Sequence, residues 1–136
     1  MELKDDNIVP TPQSNFLYTI SFLMLIPIIY AVYKKQYDIA IIIFIVFITS
    51  IQYWENPKDD WKRTLDRTCI ALGSIYLLYR VYGTKYMLLC YIGFIGMIIA
   101  YLFARYYGNK EMYWYSVISH SMIHFQGNII SLLICF

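Results

Sequence analysis

Histidine occurs twice in this chain of 136 residues, cysteine three times and proline four times, and only 15% of the residues are charged. Cys69, Cys90 and Cys135 have no CxxC spacing and an odd count, which argues against a disulfide framework and leaves small apolar fillers as the plain reading. The net charge of +2 is small and scattered, without the basic stripe and interleaved aromatics of a nucleic-acid protein, so no nucleic-acid partner is expected. There is no Asn-x-Ser/Thr sequon and no internal repeat.

Hydrophobic residues make up 60% of the chain, too many for a soluble domain of this size to hide. Five apolar runs can be drawn, over about 16–33, 39–54, 61–82, 87–107 and 112–136. At a rise of about 1.5 Å per residue, each comes close to crossing roughly 30 Å of hydrocarbon. The expectation is an all-α, polytopic transmembrane bundle of about five helices: a polar tail over 1–15, then one transmembrane domain over 16–136. The tail is acidic and lacks the basic leader of a secretory signal, so the first run is expected to stay as a spanning helix. Pro27 inside that run is expected to bend it. Tyrosine and tryptophan gather at the run ends, around Tyr53, Trp54, Trp61 and Tyr113 to Tyr115, as at membrane interfaces.

With the amino terminus on side A, the connections 55–60 and 108–111 also face A, and 34–38 and 83–86 face side B. Seven Lys and Arg residues then belong to side A and four to side B, which favours A in the cytoplasm. Five helices enclose one central seam, and the polar residues along it carry the information, because ionisable groups at membrane depth are expensive and face the interior of a bundle. Gly73, Gly93 and Gly96 are expected where helices approach closely.

The segment SHSMIHFQGN holds both histidines, His120 and His124, four residues apart on one helical face. That spacing can present two nitrogens to a metal ion, although the pair alone is a weak signal. The topology puts Thr49 and Ser50 about one turn before the A end of the second helix, Asp66 about one turn inside the third, and the histidines two to three turns inside the fifth. Polar groups from three helices thus fall in one half of the bilayer. Asp66 at this place can act as a general base for a metal-bound water, and Ser50 can bond a substrate carbonyl. The alternatives are a serine bonded to its own helix carbonyl and an aspartate paired with Arg63 or Arg67. Asn128, one turn beyond His124, is expected to bond the histidine pair or a neighbouring helix.

Taken together, TSIQYW at 49–54, Asp66 and HSMIHFQGN at 120–128 resemble the CREST superfamily of seven-helix membrane proteins. That superfamily includes alkaline ceramidases, progestin and adipoQ receptors, lipase-like proteins that act after GPI attachment, and myomaker. The resemblance implies Ser50 and Asp66 as catalytic residues, His120 and His124 as zinc ligands, and hydrolysis of an amide or ester bond in a membrane lipid that arrives sideways from the bilayer. The family's first zinc histidine falls on Trp54, whose indole nitrogen is only a donor. A third ligand then has to come from Cys69 or from Asp66 itself. The chain is two helices short of the family pattern, which makes assembly with itself or a partner plausible. The competing expectation is a catalytically inactive scaffold, receptor or membrane-remodelling protein of the same shape.

Overall fold

The structure is a computed structural model that describes residues 7–136. The first six residues of the expected polar tail, Lys4 among them, lie outside the described residues. The chain forms five helical rods. The first comprises α1 (Thr11–Ser21), a 3₁₀ turn (Phe22–Met24) and α2 (Leu25–Tyr33); the others are α3 (Tyr37–Trp54), α4 (Trp61–Val81), α5 (Met87–Asn109) and α6 (Tyr113–Ile134). Four of the five, Thr11–Tyr33, α3, α5 and α6, are long and apolar enough to cross a membrane. In α4 the charges Lys62, Arg63, Asp66, Arg67 and Arg80 dilute the apolar run.

The rods begin and end for local reasons. Helix α1 starts at Thr11, earlier than the expected end of the tail at residue 15, because Pro12 sits in its first turn, where a missing N–H and a fixed φ cost nothing. Pro27 was expected to bend the first rod; the structure shows a 3₁₀ turn just before it. Its ring crowds the carbonyl four residues earlier, and the ladder tightens into the 3₁₀ turn that includes Leu23. Asp60 caps α4 by accepting a hydrogen bond from the Lys62 backbone N–H at 2.9 Å. Between α4 and α5 the chain reverses through Gly83, at φ 78°, a conformation glycine adopts without steric cost.

Side-chain contacts fix which ends lie together. Ile8 donates its backbone N–H to the Pro57 carbonyl at 2.9 Å, tying the segment before α1 to the α3–α4 connection. Ser116 at the start of α6 donates to the Ala104 carbonyl near the end of α5 at 2.8 Å. At the opposite end, Asp38 of α3 pairs with Arg80 of α4 and accepts from the Tyr76 hydroxyl, while Arg80 also donates to Gln36 Oε1 at 2.7 Å.

Helix α6 packs most extensively on α5 and also meets the first rod; α3 packs on the first rod and on α4. The close helix contacts occur at the expected glycines. A Cβ added to Gly93 would lie 3.0 Å from Ile130 Cδ1, one on Gly96 2.7 Å from Gln126 Nε2, and one on Gly73 3.2 Å from Ile42 Cγ2. A main apolar core, including Ile39, Phe47, Leu77, Val81, Cys90 and Ile130, joins α2, α3, α4, α5 and α6. A smaller one gathers Leu17, Tyr53, Trp54 and Val117, with Ile8 and Val9 packed against it. All three cysteines are free thiols. Helices α4 and α5 touch each other little, and the space between them bears on the site.

Candidate functional site

The site begins with a carboxylate that has been taken out of water. Asp66, in the second turn of α4, is 2% exposed, and Ser50 and Thr49, in the last turns of α3, are buried beside it. A buried carboxylate is costly without donors. Here Ser50 Oγ donates to Asp66 Oδ1 at 2.7 Å and Thr49 Oγ1 donates to the same oxygen at 3.2 Å. Thr49 has one hydroxyl proton and also lies 3.0 Å from the Val46 carbonyl, so its proton is divided while that of Ser50 is not. Ser50 therefore bonds across to α4 and not back to its own helix. Asp66 takes hydroxyl partners and no arginine; Arg63 pairs instead with Asp59 at 2.6 Å.

The histidines stand on α6 as expected, with ring centroids 5.4 Å apart. Against His120 lies the Trp54 indole, centroids 5.0 Å apart and planes at 70°, an edge-to-face contact. Trp54 is itself held by Tyr53, at 4.6 Å between centroids, and by the small core under Ile8 and Val9. The indole is therefore part of the packing at the end of α3. Among the described residues, His120 Nε2, both His124 ring nitrogens and Trp54 Nε1 are buried without a hydrogen-bond partner.

Trp54, Asp66 and His120 share one cavity of about 940 Å³, and Arg63, Arg67 and Arg105 line it too. A smaller cavity of about 70 Å³ holds both histidines with Gly127, Asn128 and Ser131. Asn128 thus shares a wall with the pair, with no hydrogen bond joining it to either ring among the described residues.

Catalytic zinc takes three protein ligands as a rule. The two imidazoles, with ring nitrogens free of partners, fit that chemistry; the indole on His120 does not, because its nitrogen has no lone pair to give. Cys69 is half-buried and stands outside the lining of both cavities. The stripe of α4 facing the large cavity runs through Arg63, Asp66, Arg67 and Ile70, and Cys69 lies about 60° around the helix from Asp66, off its edge. Among the described residues, no three of His, Cys, Asp and Glu come together so as to hold a metal ion. The described residues by themselves supply two imidazoles toward such a set and no third ligand beside them.

Two features escaped the sequence reading. Arg63 and Arg67 were read as side-A charges or partners of Asp66 and Arg105 as a side-A charge, yet the three converge on one cavity from α4 and α5. Their i, i+4 spacing, with Ile70 and Ser74 continuing the face, was the available signal for the first two. The link of Asp38 with Arg80 and Tyr76 went unread because Asp38 was placed in a connection.

An all-α bundle with four helices of membrane-spanning length and apolarity, and a polar cluster buried among them, defines a multi-pass integral membrane protein. No protein-family model, no curated protein and no solved structure matches the chain.

Proposed function

We propose that this protein is a lipid-holding membrane protein of CREST-like shape, a receptor or scaffold in which the polar cluster binds helices together and does not cleave the lipid. The observation that carries this reading is the Trp54 indole, packed 5.0 Å from His120 at the position where the resemblance requires a third imidazole. The cavity beside it supports the lipid-holding half. Its polar end carries Asp66, His120 and three arginines, its walls toward the other end are apolar, and its volume suits a ligand of drug size or above. A lipid reaches such a space from the bilayer, between α4 and α5.

A second reading, an intramembrane lipid amide or ester hydrolase, is favoured by the Ser50–Asp66 bond and by the unpartnered imidazole nitrogens. In it His120 and His124 bind zinc, and Asp66 and Ser50 serve the reacting carbonyl; a further ligand has to come from elsewhere. The two readings part in one assay. The purified protein, reconstituted with ceramide and with ester lipids, is expected to retain lipid through gel filtration and to release no fatty acid. Fatty-acid release that is abolished in both His124→Ala and Asp66→Asn establishes the hydrolase and overturns the proposal.

A further inference from the structure

The large cavity combines two chemistries that meet in one class of molecule. At its side-A end stand Arg63 and Arg67 of α4 and Arg105 of α5. Arg63 gives Nη1 to Asp59, but its Nε is buried and without a partner among the described residues. Arg67 and Arg105 make no ion pair or side-chain hydrogen bond among those residues. Among the described residues, Asp66 is the one carboxylate in the cavity lining. Among the described residues, three guanidinium groups stand against Asp66 and the Asp59 paired with Arg63, which leaves an excess of one positive charge at the mouth of a low-dielectric space, where an anion is held more strongly than in water.

From that mouth the cavity continues along an apolar wall, with Ile70 and Leu78 on α4 and Ile98 on α5 among its side chains. Arg67 to Leu78 spans eleven residues of helix, a rise of roughly 16 Å, close to half of the ~30 Å hydrocarbon core. A wall of that length matches one acyl leaflet, which would leave the arginines at headgroup level. Leu78 and Ile98 are themselves exposed at the sides, so the space opens laterally between α4 and α5.

We infer that this cavity is a binding site for an anionic phospholipid, with the phosphate held by Arg67 and Arg105, and one acyl chain lying along Ile70, Leu78 and Ile98. Guanidinium suits this task because its planar fork meets two phosphate oxygens at once. The inference rests on the lipid-holding reading above and adds the headgroup.

The test is native mass spectrometry of the full chain, released from detergent after titration with dioleoyl phosphatidic acid, dioleoyl phosphatidylcholine or dioleoylglycerol. Phosphatidic acid is expected to bind about tenfold or more tightly than either of the others, since charge-assisted hydrogen bonds are the strong ones. The double variant Arg67→Gln/Arg105→Gln should lose that preference while still retaining dioleoylglycerol, and Arg67→Lys/Arg105→Lys, which keeps the charge, should preserve part of it. Thermal melting confirms that each variant is folded. Equal binding of all three lipids, unchanged by the glutamine variant, overturns the headgroup assignment and leaves the cavity as a lipid site; retention of no lipid at all overturns both. Glycerol phosphate and Ala71→Trp, which fills the apolar wall, separate lipid from free phosphate. If glycerol phosphate binds wild type and Ala71→Trp as tightly as phosphatidic acid binds wild type, the site recognises a soluble anion and the lipid assignment fails.

Discussion

Ser50 and Asp66, sixteen residues apart, meet at 2.7 Å between the end of α3 and the beginning of α4, and the serine is fully buried. This bond ties α3 to α4 beside the cavity that Asp66 shares with His120. Its removal strands an oxygen that has only the divided proton of Thr49 left.

Ser50→Ala should therefore lower stability by about 1–3 kcal/mol, the cost of leaving a buried acceptor short of a donor. The reading is sharper in a cycle with Asp66→Asn, measured by denaturation in mixed micelles. A coupling energy of about 0.5–3 kcal/mol is expected. Additive single effects would mean that the two groups do not support each other.

Gly93 and Gly96 separate two kinds of close approach. At Gly93 the obstruction is the Ile130 side chain, 1% exposed and locked in the core, so Gly93→Ala should cost about 1–3 kcal/mol. At Gly96 the obstruction is the far end of Gln126, which can swing away. Gly96→Ala should thus be the milder substitution, although its nominal contact is the shorter. The opposite order of melting temperatures would contradict the α5–α6 packing.

The ion pair of Asp38 and Arg80 is partly exposed, with side chains 38% and 27% accessible, so water screens it. Arg80→Gln should cost no more than about 1 kcal/mol. A loss exceeding that of Ser50→Ala would shift the main α3–α4 clamp from the Asp66 end to the Asp38 end.

Much of this arrangement was legible in the residues themselves. Hydropathy located the five rods to within a few positions, because interruptions at 34–38, 55–60, 83–86 and 108–111 are charged or glycine-bearing and leave no ambiguity of order. That Ser50 and Asp66 lie in one half of the bundle followed from counting turns inward from side A; the hydrogen bond between them did not, since each was given other partners. Trp54 was read as an interface aromatic, and only the resemblance set it where a zinc histidine would stand; the contact of its ring with His120 depends on Tyr53, Ile8 and Val9 packing behind the indole, which periodicity does not convey. The convergence of Arg105 with Arg63 and Arg67 depends on how loosely α4 and α5 meet, a tertiary property with no local signature. Cys69 looked close to Asp66 at a spacing of three, and the sixty degrees between them was enough to carry it off the cavity stripe.

The account turns on Trp54 filling the place of a metal ligand, and zinc content measured on purified protein addresses that directly. Wild type should carry well under one zinc per chain after dialysis, Trp54→His should approach one, and Trp54→His/His124→Ala should fall back. Stoichiometric zinc in the wild type, lost in His124→Ala, would contradict the account, and so would a folded Trp54→His that gains none.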